Sequence, residues 1–124
     1  MSIFGLSIAG LILVACKGGA TTQPVAQTIR AGDGARGETV YKGTCIACHG
    51  PNAKGISGLG KDLTTSEFVK SKTDAELVAF IKTGRPVSDP LNTTGVDMPP
   101  RGGNASLTDQ DLVDAVAYIQ TLVQ

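Results

Sequence analysis

The residues that could do chemistry cluster in Cys45-Ile46-Ala47-Cys48-His49. Two thiols three positions apart share one face of a helical turn, and an imidazole follows directly. This C-x-x-C-H order is the pattern of c-type haem attachment. Each thiol can form a thioether with one porphyrin vinyl group, and the neighbouring imidazole then reaches the iron as a proximal ligand. Other chemistries use the same atoms. A zinc site needs four ligands, and the only further cysteine is Cys16, across a long intervening segment. A thioredoxin-like dithiol expects a βαβ surrounding, and no such pattern flanks Cys45. A coincidental match in a loop is the remaining reading. Three cysteines, an odd number, argue against a self-contained disulfide framework.

His49 is the single histidine, so a second imidazole from this chain cannot occupy the opposite side of an iron. Apart from Met1 the only methionine is Met98, in Asp97-Met98-Pro99-Pro100. A lone Met usually fills a core. Met98 instead lies in a Gly/Pro-rich stretch from Gly84 to Gly103, where two prolines stiffen the backbone behind it. A loop fixed in this way can present a thioether to a metal.

These groups need elements to position them. Residues 36–124 are expected to form one small all-α domain of short helices and Gly/Pro-rich loops. A first helix over about Gly37–Ala47 places Val40, Tyr41, Thr44, Cys45 and Cys48 at helical spacing, with Gly50-Pro51 as the stop. Asn52 to Asp62 carries glycines without periodicity and reads as loop. A short helical piece falls near Thr65–Lys70. A longer helix covers Asp74–Lys82, with a Thr73/Glu76 capping box and an apolar face of Leu77, Phe80 and Ile81. The last helix, Asp109–Val123, has Thr108 and Asp111 at capping-box positions and a stripe of Leu112, Val116, Ile119 and Val123.

Composition narrows the function. Eleven Lys+Arg balance eleven Asp+Glu, which excludes a partner recognised by bulk charge such as nucleic acid. With 4% aromatic residues and no Trp, the chain is poor in the large side chains that usually fill a core. A buried porphyrin would supply the missing apolar bulk, so the apo-protein is expected to be largely unfolded.

Upstream, Ile3 to Cys16 is an uncharged apolar run, short of the roughly 20 residues of a transmembrane helix and closer to a signal-peptide core. Its end, Leu13-Val14-Ala15-Cys16, resembles a bacterial lipobox, in which Cys16 would be lipidated. No Lys or Arg precedes the run, which departs from the usual signal pattern, and residues 1–16 also suit an uncleaved anchor. Residues 17–35, rich in Gly, Ala, Thr and Gln, read as a flexible tether. Both readings put the domain on the extracytoplasmic side of a bacterial membrane.

Cys45-x-x-Cys48-His49-Gly50, then Met98-Pro99, then a terminal helix with Ala117-Tyr118-Ile119 resembles the class I c-type cytochromes. The resemblance implies one haem c, thioethers at Cys45 and Cys48, axial ligands His49 and Met98, and a first-to-last helix crossing at Gly37, Tyr41 and Tyr118. The stretch from Gly84-Arg85-Pro86 through Met98 to Asn104, with the lipobox, also resembles the monohaem subunit of bacterial alternative complex III. That narrower resemblance implies a membrane-attached carrier that receives electrons from a multihaem cytochrome in a quinol-oxidising complex and passes them to a soluble acceptor.

His/Met ligation leaves no open iron position and suits electron transfer, not substrate chemistry. A haem enzyme or gas sensor with an open sixth position, and a structural subunit of a membrane complex, are the alternatives. Arg85 and Arg101 are expected as solvated surface residues, with contact to haem propionates or a partner carboxylate as the functional alternative. Lys42, Lys54 and Lys61 could ring an exposed haem edge or belong to an ordinary surface.

Overall fold

The computed structural model describes residues 29–124. Cys16, the apolar run and residues 17–28 of the expected tether lie outside them. Among the described residues no helix is long and apolar enough to cross a membrane.

Asp33 sets the start of the first helix. Its carboxylate accepts the N–H groups of Ala35 and Arg36 at 3.0 and 3.2 Å, satisfying donors that a helix N-terminus leaves without partners. The chain then runs through α1 (Gly34–Val40), a π-helical turn (Tyr41–Cys45) and α2 (Ile46–His49). Gly50, at φ 74°, ends it. The helical segment therefore extends beyond the expected Gly37–Ala47 at both ends, because the cap is Asp33 and the stop is Gly50. The π-helical turn, in which the Ile46 N–H reaches back to the Tyr41 carbonyl, was not legible in the apolar spacing.

α3 (Glu67–Lys70) is capped by the Ser66 hydroxyl, and α4 (Asp74–Thr83) by the expected Thr73/Glu76 box. A tight turn, Pro100–Gly103, precedes α5 (Asp109–Leu122), which carries the expected Thr108/Asp111 box. The Thr73 N–H and hydroxyl hold the Glu76 carboxyl below the usual carboxylate range, and the Thr108 hydroxyl and N–H do the same to Asp111. Among the described residues there are no strands, only isolated bridges at Ile56 with Gly60 and Arg85 with Met98. The all-α expectation holds there.

α1 and α4 both pack on α5. Gly37 allows the first contact: a Cβ at this position would collide with the Asp114 carbonyl oxygen and approach Tyr118 Cβ to 2.9 Å. Beside it the Asp114 carboxylate, 1% exposed, accepts from the Asp33 N–H (3.0 Å), Gln110 Nε2 (2.9 Å) and Arg36 Nε (3.1 Å). Gln110 also bonds both backbone groups of Arg30. Residues 30–35 are thus stitched to α5, a correction to their assignment as tether. Tyr41 is fully buried, with its ring centroid 5.4 Å from that of Tyr118 and its hydroxyl donating to the Gly50 carbonyl at 2.6 Å. Burial, then the nearby Cys45, pushes the Tyr41 pKa up to about 12. The core continues through Val69, Leu77, Leu112, Val116 and Ile119.

A methyl group at Gly37 would have to separate two backbones, not merely displace a side chain. Gly37→Ala is expected to cost about 3 kcal/mol or more and to lower the melting temperature by more than about 10 °C, read by circular dichroism of the haem-loaded protein. A melting temperature within experimental error of wild type would show that the helix crossing has slack.

Candidate functional site

The helices and loops line a partly open cavity of about 710 Å³. Cys45, Cys48 and His49 line it from one side and Met98 from the loop after α4. Leu77, Phe80 and Ile81 of α4 and Leu112, Val116 and Ile119 of α5 add apolar wall. The faces read as amphipathic stripes in the sequence thus turn toward this space, except Val123, which lies just past the end of α5 and outside the lining.

The end of α2 delivers His49, and its ring is held: Nδ1 lies 2.8 Å from the Lys61 carbonyl oxygen. A carbonyl can only accept, so Nδ1 carries the proton and Nε2 keeps a free lone pair for a metal. Lys61 itself is braced by its ammonium, which donates to the Leu91 carbonyl at 3.3 Å. Nothing in the sequence singled out Lys61 for this role, because its functional atom belongs to the backbone.

Cys45 and Cys48 are not joined in a disulfide, and both are partly buried. Burial, then the neighbouring Cys48, pushes the Cys45 thiol up to about 11, which disfavours the thiolate that dithiol exchange requires. Among the described residues there is also no βαβ unit. Nor do the side chains gather at a point, since no group of three His, Cys, Asp or Glu there could hold a metal ion.

Met98 is partly buried and its backbone is paired in both directions with Arg85, N–H to carbonyl at 2.9 and 2.8 Å. Gly84 makes the close approach possible: it sits at φ 74°, and a Cβ there would collide with the Met98 carbonyl oxygen. Met98 therefore lies at the closed neck of a loop whose interior is braced by Asn92 and by Asp97, which accepts the Val87 N–H at 2.6 Å.

The arginines correct their expectation as solvated residues. The Arg85 side chain is 12% exposed and pairs with Asp89 at 3.1 Å. The Arg101 side chain, 25% exposed, donates to the Leu107 carbonyl (2.8 Å) and to Asp109 (2.7 Å). Those bonds hold Arg101 in left-handed backbone (φ 54°), which is uncommon for a residue with a side chain. Both arginines line the cavity, yet both find carboxylates within their own chain. Of the three lysines, Lys61 alone lines it; Lys42 pairs with Glu38 at 2.7 Å and Lys54 is exposed.

These residues fit a covalently attached porphyrin. The cavity lies within the roughly 300–1,000 Å³ span of small-molecule sites. Its lining is largely apolar, its two thiols share one helical segment, and the one imidazole is held as the tautomer that can ligate through Nε2.

The family model "Cytochrome c" matches residues 34–123. Cytochrome c-555 of Prosthecochloris aestuarii is 36% identical over 70% of this chain and 85% of its own length. Cytochrome c-554(547) of Halothiobacillus neapolitanus is 38% identical over 74% of this chain and 99% of its own. Cytochrome c-555 of Chlorobaculum tepidum is 30% identical over 70% and 74%, respectively.

Asp109 links the wall to the Met98 loop by bonding Lys82 (2.7 Å) and Arg101 (2.7 Å), which hold its carboxyl below the usual carboxylate range. The folded value lies below the unfolded one, so the stabilisation is full above about pH 4 and is lost as pH falls through the depressed folded value. Asp109→Asn is expected to flatten the fall in melting temperature between neutral pH and about pH 3. An unchanged acid limb would remove Asp109 from this account.

Proposed function

Since the chain belongs to the cytochrome c family, as a monohaem class I member with one covalently bound haem c that serves electron transfer, we propose its ligand set and working site. Cys45 and Cys48 are the thioether attachments, His49 Nε2 the fifth ligand and Met98 Sδ the sixth. The single observation that carries this is the placement of His49 and Met98 on one cavity, each held by backbone hydrogen bonds that leave its ligating atom free.

When bound, the haem supplies the iron that gains and loses one electron. The protein's own residues set the conditions. The Lys61 carbonyl keeps the His49 proton on Nδ1, so the imidazole stays fixed in tautomer and orientation. The bridge to Arg85 fixes the backbone from which the Met98 thioether extends. With His49 and Met98 both holding the iron, the soft thioether would raise the potential relative to other ligand sets and would leave no position for substrate or gas. The apolar faces of α4 and α5 would shield a bound haem from water, which would lower the reorganisation that accompanies a change of charge.

We further propose that the carrier is held at the extracytoplasmic face of a bacterial membrane, through a lipidated Cys16 or an apolar N-terminus. Its donor would be a multihaem cytochrome of a quinol-oxidising assembly of the alternative complex III type, and its acceptor a soluble protein. The support is in the sequence: the uncharged Ile3–Cys16 run, its lipobox-like end, and the intervening polar segment. Two acyl signals suffice for stable anchoring at about 0.8 kcal/mol per buried CH₂.

Oxidised wild-type protein is expected to show the weak far-red sulfur-to-iron band, and Met98→Ala to lose it while its reduced form gains rapid carbon monoxide binding. A band that survives in Met98→Ala would exclude Met98 as the ligand. For the membrane setting, the intact mass of protein purified from native membranes is expected to match a chain beginning at acylated Cys16 or at Met1, with a multihaem cytochrome copurifying. Recovery solely from the soluble fraction, without acyl mass, would refute it.

A further inference from the structure

We propose that Arg85 is the positioning residue for Met98, acting through a guanidinium clamped by two phenyl rings. The inference rests on the reading of Met98 as sixth ligand. Both backbone polar groups of Met98 are satisfied by residue 85. The position of Met98 is therefore only as firm as that of Arg85. The Arg85 guanidinium carbon lies 4.6 Å from the Phe68 ring centroid and 4.7 Å from that of Phe80, and the rings are 4.8 Å apart at 59°. Phe68 belongs to α3 and Phe80 to α4, so the cation joins two elements that approach the cavity from different parts of the chain.

The fourth partner is Asp89, whose Oδ2 meets Arg85 Nε while Oδ1 accepts the Leu91 N–H at 2.8 Å. One carboxylate thus connects the clamped cation to the far side of the 85–98 loop. A planar guanidinium can face the rings and offer a fork of N–H groups together, whereas a compact ammonium meets one ring or the carboxylate. The pull of the rings is strengthened because the group is largely removed from water. Geometry passes from α3 and α4 to the Arg85 side chain, through its backbone to Met98, and so to the thioether.

The test uses the full haem-loaded protein and two readouts. In oxidised Arg85→Gln the far-red sulfur-to-iron band is expected to disappear on warming well before helix content falls, whereas in wild type the two losses coincide. Amide hydrogen exchange is expected to accelerate on the order of tenfold at Met98 and within the 85–98 loop, with α1 and α5 unchanged. Arg85→Lys should restore both readouts in part. If Arg85→Gln fails to accumulate, Asp89→Asn is expected to show the same separation of band loss from unfolding on a smaller scale.

A band and exchange pattern in Arg85→Gln equal to wild type would overturn the proposal. So would exchange that rises equally at all amides, because that is general destabilisation. If wild type itself lacks the band, the ligand reading fails and this inference falls with it; if wild type has it and the Arg85 variants match, only this inference falls.

Discussion

A small helical domain cannot keep a large apolar hollow at its centre, and the rest of this structure follows from that constraint. The walls turned toward the cavity are the same side chains that a conventional core would pack against one another. With so few aromatic residues the chain has little of its own to put there. A covalently attached haem c supplies the missing bulk and its burial. Folding and redox chemistry therefore share one object, and a residue that shapes the cavity acts on both.

The domain distributes its polar bonds accordingly. The cavity lining carries charge at Lys61, Asp62, Glu67, Arg85, Asp97 and Arg101, and its two arginines are neutralised by carboxylates outside it, Asp89 and Asp109. Backbone carbonyls take on tasks that charged side chains could perform: Lys61 orients His49, Gly50 receives the Tyr41 hydroxyl, and Arg85 holds Met98. A carbonyl dipole orients its partner without adding net charge beside a centre that must itself change charge.

Much of this was legible from the residues. Cys45, Cys48 and His49 announce themselves by spacing, and the structure brings Met98 to the same cavity. The capping boxes at Thr73 and Thr108 fix two helix starts with their named partners. What stayed hidden depends on groups that every residue possesses or on pairs distant in sequence. No side-chain type marks the Lys61 carbonyl as the imidazole's partner. The π-helical turn at Tyr41–Cys45 leaves no trace in apolar spacing, since it changes register within one segment. Arg85 read as a surface cation because Phe68 and Phe80 meet it only after α3 and α4 have packed. The end of the expected tether was misplaced for a similar reason, since the partners of Arg30 and Asp33 lie about eighty residues away on α5.

The crossing at Gly37 also governs the order of assembly. It joins segments from opposite ends of the domain, Asp33 and Asp114 being 81 positions apart. No nascent chain can make that contact before α5 has emerged. Until then the two thiols stand on an unlatched segment, open to whatever machinery joins them to porphyrin. The seam that completes the domain lies in a helix synthesised after the thiols, so the order of synthesis itself times the closing of the latch.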